Sequence, residues 1–384
     1  MKSKVSGFSL NFISQRCAAL FNDSPYVLML FGLFRRFGFI FVSLFLIPGA
    51  HAVDIERVAD ISYPWGIDRL DQNRLIVTSK LGSVFSISLS DYSKTQIKNI
   101  PSVRVHRQGG LLDVAVDRQG EVTRVYLCYS KPMGNGISVA VHEATLKDDS
   151  LDDGRDIYIS NVKSGSGVHF GCRLQLQNSD LFLSHGDRGR RNHAQDGSLD
   201  SGSVIRLFKS EPGDEVYPWS WGKAVHSIGH RNPQGLSINP RNQELWLHEH
   251  GPRGGDEINV VEEGGNYGWP RVCYGEEYSG GEIGLNFSPD GYIDPVWKWI
   301  PSIGPSGMMF YQGDMFPEIA GQLLVGSLKF GKIVSVALDE ASRPTSEIDW
   351  LTGIGRVRDL FELDDGSILV LTDERRDGLL RVSR

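Results

Sequence analysis

Polar and basic side chains recur at one position of a repeated sequence unit, beside a short run of small and apolar residues. His169 precedes Phe170-Gly171, and Arg231 and Asn232 precede Pro233-Gln234-Gly235. The other members of this set are Gln108, Lys329, Arg356 and Arg358. A concentration of cations on an acidic protein indicates an anionic ligand, because guanidinium groups pair with carboxylates through two parallel hydrogen bonds. The single histidine is the natural proton acceptor near neutral pH.

A glycine-rich stretch, His248 to Pro270, combines oxygen donors with tight turns. Its donors are the backbone carbonyls of Gly251 and Pro252, the carboxylates of Asp256 and Glu257, and Tyr267. Hard oxygen ligands without cysteine are typical of calcium rather than zinc. His248 and His250 lie two residues apart with no third soft ligand nearby, so they are the least expected participants. A second charged run, Asp187 to Arg191, indicates either a functional cluster or a solvated turn pinned by an Asp–Arg pair.

The elements that position these residues follow from a sixfold repeat. Each copy has a strand of small residues, a polar turn, a more apolar strand and usually a third strand, with roughly 60 residues between copies. The copies begin at Trp65, Gly110, Phe170, Gln234, Ser306 and Val357. A closed ring leaves no exposed sheet edge. The repeat therefore predicts an all-β, six-bladed β-propeller of four-stranded blades over residues 53–384, with a pair of β-sandwich domains as the alternative.

The propeller explains why the polar and basic residues share one position in the repeat. The innermost strand of each blade begins near the ring axis, so these residues are expected to face one central funnel, although any of them alone is equally compatible with an exposed loop. Asp54 to Val58 is predicted to complete the last blade. Gly251 to Pro301 is predicted to form a long insert of the fourth blade on the functional face.

The first 52 residues differ from the rest of the chain. Arg35 and Arg36 precede the apolar run Phe37 to Pro48, and Ala50-His51-Ala52 supplies the small residues of a cleavage site. The run is shorter than the ~20 residues that span a bilayer, which favours a cleaved signal peptide over a membrane anchor. Met29 is an alternative start that gives a leader of ordinary length. The sequence predicts export to the periplasm, or secretion, after cleavage near Ala52, without stable membrane insertion.

Charge and cysteine content exclude further classes. The chain has 384 residues and a net charge of −7, and loss of its basic leader makes it more acidic still. Such a protein is a poor partner for nucleic acid or for an anionic membrane surface. Cys17 lies in the leader, which leaves Cys128, Cys172 and Cys273. Three widely spaced cysteines form no disulfide framework and allow at most one pair.

Four long motifs carry a resemblance to a known family. They are Gln108 to Asp113, Gly186 to Gly189, Gly229 to Leu236 and His248 to Pro270. All four resemble the soluble aldose sugar dehydrogenases of the glucose/sorbosone dehydrogenase family, which use pyrroloquinoline quinone. The resemblance extends from about residue 54 to the C terminus. It implies a six-bladed propeller, in agreement with the repeat, that oxidises an aldose at C1 to a lactone by hydride transfer to a calcium-activated quinone.

The resemblance implies a role for each matching position. His169 matches the general base that takes the proton of the C1 hydroxyl, and Arg231 and Asn232 match the pair that contacts the quinone oxygens. The other implied cofactor contacts are Gln108, Tyr278, Ser327, Leu328, Lys329, Arg356 and Arg358. One departure concerns the base: Val168 stands where some relatives carry an aspartate, which leaves open what orients the imidazole.

The resemblance also implies two calcium sites. Gly251 and Pro252 match carbonyls that hold the ion activating the quinone, while Glu257 and Tyr267 match a second, structural site. The first hypothesis is therefore a periplasmic quinoprotein that oxidises aldose sugars, passes electrons to an unidentified acceptor, and is a monomer or homodimer.

Two other functions are compatible with a propeller. One is a calcium-dependent lactonase or esterase, which needs no anion pocket, so Lys329, Arg356 and Arg358 argue against it. The other is a non-catalytic sugar-binding propeller, against which the presence of both His169 and Arg231 argues.

Overall fold

A computed structural model describes residues 53–212, 219–376 and 378–384, and within them the chain forms six β-sheets in sequence order. The innermost strands of successive sheets contact one another, and that of the sixth contacts that of the first. The predicted six-bladed β-propeller is confirmed. The predicted leader, residues 1–52, lies outside the described residues.

Each blade runs outward from an axial strand. The described chain begins with β1 (Asp54–Ala59). Blade 1 contains β2 (Pro64–Arg69), β3 (Arg74–Ser79), β4 (Ser83–Ser88) and β5 (Lys94–Ile97). Blade 2 contains β6 (Leu111–Gln119), β7 (Val122–Met133), β8 (Gly136–Lys147) and β9 (Ser150–Ile159). Blade 3 contains β10 (Gly171–Gln177), β11 (Asp180–His185), β12 (Ser203–Pro212) and β13 (Trp219–Ile228).

The second half of the ring repeats the pattern. Blade 4 contains β14 (Pro233–Ile238), β15 (Leu245–Glu249), β16 (Asp256–Val261) and β18 (Trp297–Trp299), with β17 (Gly265–Asn266) between the last two in sequence. Blade 5 contains β19 (Pro305–Phe310), β20 (Leu323–Ser327), β21 (Lys332–Leu338) and β22 (Pro344–Thr352). Blade 6 contains β23 (Val357–Glu362), β24 (Ile368–Thr372) and β25 (Leu379–Ser383), and β1 is its outermost strand.

The ring is closed by strands from the two ends of the described chain. β1 pairs antiparallel with β25, from Asp54 opposite Ser383 to Ala59 opposite Leu379. This pairing confirms that the N-terminal strand completes the last blade.

Two details differ from the sequence prediction. β17 adds a short parallel fifth strand to blade 3, pairing Ser227 with Gly265. The range predicted as one insert contains β16 and β18, so the long connection of blade 4 is shorter, from 262 to 296. Glycines on both sides of the short strand β16 hid it in the sequence, because their turns resemble those of a continuous loop.

The core consists of six apolar layers, one between each pair of neighbouring blades. Between blades 1 and 2, for example, Ile76 and Val84 pack with Leu127 and Ala140. Corresponding layers join the other five pairs. A disulfide between Cys128 of β7 and Cys172 of β10 also joins blades 2 and 3.

Helical structure in the described residues is confined to two 3-10 turns, Arg191–Gln195 and Pro317–Ile319. Among these residues no helix has the length and apolar content needed to cross a membrane.

Candidate active site

A cavity of about 510 Å³ opens on the ring axis, where the loops entering the innermost strands meet. All six blades contribute to its wall. It is lined by six of the residues predicted to contact a cofactor, namely Gln108, Asn232, Leu328, Lys329, Arg356 and Arg358. The structure therefore brings together residues that lie up to 250 positions apart in the sequence.

The cavity carries an excess of positive charge. Among the described residues that line it, Asp373 is the single acidic one. Its carboxylate lies 3.0 Å from the guanidinium of Arg358, 3.3 Å from that of Arg356 and 3.8 Å from the ammonium of Lys80. Burial alone would raise the pKa of Asp373, but Arg358 and Lys80 lower it below its ordinary value. In the described part of the chain Lys329 has no carboxylate partner, and it donates to the carbonyl of Ser302 at 3.0 Å. With Arg107, the described wall holds five cations against one carboxylate, which makes this a pocket for an anion.

Arg173 of β10 does not line this cavity but contacts two residues that do, Gln234 and Arg358. Its side chain is buried and donates to the carbonyl oxygens of Gln234 at 2.7 Å and Arg358 at 2.9 Å. It also pairs with Asp359 at 2.7 Å and Asp113 at 3.3 Å. One side chain of blade 3 thus ties together the axial strands of blades 2, 4 and 6.

Gln234, which lines the cavity, connects two predicted cofactor residues. Its amide nitrogen donates to the side-chain oxygen of Asn232 at 3.2 Å, and its amide oxygen accepts from Arg358 at 3.2 Å. The orientations of Asn232 and Arg358 are therefore linked.

His169 does not line the cavity itself, but Gln108 and Phe170 beside it do, and two partners hold His169 in place. Its backbone N–H donates to the side-chain oxygen of Gln108 at 2.7 Å, and its Nδ1 lies 2.7 Å from Oδ1 of Asp187. Burial would raise the pKa of Asp187, but the hydrogen bond and charge of His169 and the N–H donors of Gly189 and Trp269 lower it. An ionised Asp187 only accepts hydrogen bonds, so Nδ1 of His169 donates and Nε2 is left as the basic nitrogen.

Asp187 also links His169 to Arg231. The indole N–H of Trp269 donates to Oδ2 of Asp187 at 2.8 Å, and the guanidinium of Arg231 lies 5.3 Å from the Trp269 ring centroid. The backbone N–H of Asp187 donates to the carbonyl of Arg231 at 2.9 Å. His169 and Arg231, the two residues predicted to be catalytic, are therefore both held by contacts with Asp187.

The four residues predicted to bind metal line one small pocket of about 10 Å³, rather than two separate ones. Glu249 also lines it. The pKa of Glu257 is raised well above its ordinary value, because its carboxyl group is desolvated and lies near that of Glu249. A pocket of this size holds about one water-sized particle. Two nearby carboxylates with backbone carbonyls form a donor set that suits calcium.

Some of these donors are engaged in other contacts. The hydroxyl of Tyr267 donates to the carbonyl of Val260 and accepts from the backbone N–H of Glu262 at 2.9 Å, so the backbone carbonyl of Tyr267 is its more available oxygen donor. The carbonyl of Gly251 accepts a hydrogen bond from Arg231 at 2.7 Å. Arg231 thus lines the candidate metal pocket and also contacts Asp187.

Three predicted cofactor residues do not line the axial cavity. Arg231 lines the small pocket instead. Tyr278 is 72% exposed, near the tip of a turn in the blade 4 connection, and does not line the cavity. Ser327 is buried, and its hydroxyl donates to the carbonyl of Ile303 at 2.6 Å.

Two further residues that the sequence does not single out as functional belong to the site. The run Asp187 to Arg191 indicates either a functional cluster or a solvated turn, and the structure favours the first, because Asp187 is fully buried beside His169. The motif Gly186 to Gly189 marks this turn in the sequence but does not show whether its carboxylate is buried or solvated. His250 lines both the axial cavity and the small pocket. No signal in the sequence separated it from His248, which is buried and bonds the carbonyl of Ser306.

A basic cavity on a propeller axis, near a His–Asp pair whose carboxylate is buried, defines a class of enzyme that binds an anionic ligand next to a proton acceptor. Comparison with known proteins agrees with this class. Residues 61–381 match the family described as Glucose / Sorbosone dehydrogenase. The chain belongs to this family and is an oxidoreductase.

Individual relatives match the chain in sequence, and a solved structure matches it in fold. A protein of Escherichia coli strain K12 named aldose sugar dehydrogenase YliI is 34% identical over 352 residues, covering 86% of this chain and 93% of the relative. The crystal structure of the soluble aldose sugar dehydrogenase from Escherichia coli in the apo-form has a TM-score of 0.77 and 32% identity, covering 86% of this chain and 99% of that one. Quinoprotein glucose dehydrogenase B of Acinetobacter calcoaceticus is 31% identical over 206 residues, covering 39% and 42% of the two chains.

Proposed function

We propose that the protein oxidises aldose sugars at C1 to lactones with pyrroloquinoline quinone. The observation that carries this proposal is the surplus of cations around Asp373 in a cavity that adjoins His169. A multiply charged carboxylate cofactor fits that surplus, whereas a neutral sugar gains nothing from it. The names of the relatives support the same substrate and cofactor class.

Each residue of the site has a separate role in the proposed reaction. When bound, the quinone supplies a two-electron acceptor for the C1 hydride, and calcium supplies a Lewis acid. Lys329, Arg356 and Arg358 bind the carboxylates of the cofactor. Nε2 of His169 accepts the proton of the C1 hydroxyl, and Asp187 stabilises the imidazolium that results. Arg231 provides positive charge where the reaction develops negative charge, an effect typically worth ~3–4 kcal/mol.

Calcium is assigned to the small pocket beside Arg231. Gly251 and Pro252 would offer carbonyls, Glu257 a carboxylate and Tyr267 a carbonyl, and Glu249 lies within reach as a further carboxylate. A divalent cation there would compensate the charge of the two carboxylates. Burial, and then the nearby carboxylate of Glu249, raise the pKa of Glu257. All four predicted ligands line one pocket, which favours one ion over the two that the family resemblance implied.

Export to the periplasm is part of the same proposal. The predicted leader and the absence of a membrane-spanning helix among the described residues agree with it. So does the disulfide between Cys128 and Cys172, because disulfides persist in oxidising compartments.

Reconstitution tests the proposal directly. The purified protein is loaded with pyrroloquinoline quinone and Ca²⁺, and quinone binding is followed by absorbance and by reduction of a dye with glucose and other aldoses. We expect binding and turnover with Ca²⁺, and loss of both after chelation. Absence of quinone binding in the presence of Ca²⁺ would sink the proposal.

A single substitution tests the assignment of the base. His169→Ala should bind quinone as the wild type does and lose roughly 10²–10⁴-fold in kcat, the usual contribution of a general base. Full activity of this variant would show that another group takes the proton. Hydrolysis of lactones without quinone would instead favour the lactonase alternative, and sugar binding without either reaction would favour the non-catalytic one.

A further inference from the structure

Arg188 is a buried cation to which the proposed reaction assigns no role. Its residue is fully buried, between Asp187 and Gly189 on the turn after β11. Burial lowers the pKa of Arg188 to about 10, which still leaves it charged at neutral pH. A charge removed from water has a high cost unless its hydrogen-bonding capacity is used. The partners of Arg188 therefore indicate its purpose.

Those partners lie in one short segment around His169. The guanidinium donates to the carbonyl of Val168 through Nη1 and to that of Ser166 through Nη2, the latter at 2.6 Å. Its central carbon lies 3.4 Å from the ring centroid of Phe170. The backbone N–H of Arg188 donates to the carbonyl of His169 at 3.3 Å. One residue thus contacts the backbone before His169, His169 itself and the ring after it.

The segment needs such support, because its backbone is strained. His169 has φ of +52°, in the left-handed region that non-glycine residues rarely adopt. A backbone of this kind costs of order 1–3 kcal/mol and persists only when its surroundings determine it. Gln108 restrains the segment from the side of blade 2 by accepting from the N–H of His169. Arg188 restrains it from the side of blade 3.

The ring of Phe170 extends this support to the cavity. Phe170 is buried and lines the axial cavity. A Cβ at Gly109 would lie within 2.5 Å of this ring, so Gly109 and Arg188 both pack closely on it. Displacement of Arg188 would therefore alter the cavity wall and the position of His169 together.

We propose that Arg188 is a positioning residue that holds Ser166 to Phe170 in place and thereby sets His169 against Asp187 for proton transfer. This inference rests on the proposed role of His169 as the base. Arg188 acts through His169 and contacts none of the cations that bind the cofactor, so its loss should affect turnover far more than quinone binding.

Three variants test the proposal in the quinone-loaded, Ca²⁺-loaded protein. Arg188→Met keeps an unbranched apolar stem and removes the hydrogen bonds, while Arg188→Lys keeps the charge and can reach fewer carbonyls. Arg206→Met is the matched control, since Arg206 lies on the same blade and pairs with Asp180 at 2.6 Å, away from this segment. The readouts are melting temperature, quinone affinity, kcat, and the primary isotope effect with an aldose deuterated at C1.

The expected pattern separates positioning from general support of the fold. Arg188→Met should lose roughly 10²-fold in kcat, the effect of displacing a reacting group by about 1 Å, with quinone affinity unchanged. Its isotope effect should exceed that of the wild type, because the chemical step becomes slower relative to the others. Arg188→Lys should recover part of kcat, and Arg206→Met should match the wild type.

Other patterns would overturn the proposal. A folded Arg188→Met variant with the kcat of the wild type would contradict it. A fall of quinone affinity in parallel with kcat would also contradict it, because that pattern indicates a structural role alone. If Arg188→Met does not fold, Arg188→Lys decides by the same two criteria. If the wild type showed no quinone-dependent turnover, the proposed function itself would be contradicted. If the wild type were active and replacement of Arg188 did not change kcat, only the role proposed for Arg188 would be contradicted.

Discussion

At the scale of single residues, the charge and hydrogen bonding around His169 determine which of its ring nitrogens can accept a proton. The family resemblance left the orientation of the imidazole open, because Val168 replaces an acidic residue of some relatives. The structure supplies an acid from another position, since Asp187 on the turn after β11 bonds Nδ1 of His169 at 2.7 Å. A carboxylate on Nδ1 fixes the tautomer whose Nε2 is basic, so the proton acceptor is preorganised.

Replacement of Asp187 should separate catalysis from binding. Asp187→Asn keeps the shape of the side chain but lacks the negative charge that stabilises the imidazolium, so kcat should fall roughly 10²-fold with little change in quinone affinity. The fall should be visible in steady-state dye reduction across pH 6 to 9. Asp180→Asn, on the same blade and partly exposed, is the control. Equal activity of Asp187→Asn and wild type would mean that another group orients His169.

At the scale of elements, the turns and the adjoining ends of the strands carry the site. The repeat in the sequence predicts the strands. The turns between them, with strand residues such as Gln234, Arg358 and Glu257, form the cavity and the small pocket. The blade 4 connection from 262 to 296 contributes Tyr267 and Trp269, which reach the pocket and Asp187. The disulfide between β7 and β10 links two blades covalently next to the His169 segment.

The disulfide should contribute to stability. Cys128 and Cys172 join neighbouring blades across 44 positions of sequence, and Cys172 lies three residues after His169. A cross-link of this kind stabilises by limiting the unfolded chain, typically by ~2–4 kcal/mol. The double variant Cys128→Ala/Cys172→Ala should therefore melt several degrees lower than wild type in thermal denaturation.

Cys273 provides the control for that measurement. It is buried and unpaired, so Cys273→Ala tests the loss of a buried sulfur without loss of a cross-link. An equal melting temperature of the double variant and the oxidised wild type would show that the disulfide does not form or does not stabilise the protein.

At the scale of the whole molecule, the ring axis concentrates buried charge. Asp113 and Asp359 share the guanidinium of Arg173. Burial raises the pKa of Asp113 from 3.8 to about 7. Between pH 3.8 and about pH 7, the carboxyl group of Asp113 is protonated in the folded protein and ionised in the unfolded chain. The free energy of unfolding contributed by this group is therefore present at low pH and falls as the pH rises to about 7.

This linkage predicts how stability responds to pH. Asp113→Asn cannot ionise, so between pH 5 and pH 8 its free energy of unfolding should fall less than that of wild type, by at least about 1 kcal/mol given ~1.36 kcal/mol per pKa unit. Denaturant titrations at both pH values measure the difference. Asp149→Asn, at an exposed carboxylate, should follow the wild type. A pH response of Asp113→Asn equal to that of wild type would mean that Asp113 is ionised throughout this range.

The sequence by itself determined the ring and much of its chemistry. Period-two strands separated by glycine turns, repeated six times, leave few ways to bury their apolar faces other than a closed propeller. The shared position of Gln108, Arg356 and Arg358 in the repeat then placed them on the axis, because every innermost strand starts there. Their convergence could be predicted since it depends on backbone topology alone.

Only the tertiary structure decided which side chains support one another. The partners of His169, Arg188 and Arg173 come from other turns or blades, and nothing in local sequence distinguishes a buried Asp187 from a solvated one. The same holds for the exposed Tyr278 and for the single pocket shared by Gly251 and Glu257. Such contacts arise from distances of a few ångströms between segments far apart in the chain, which repeat periodicity does not encode.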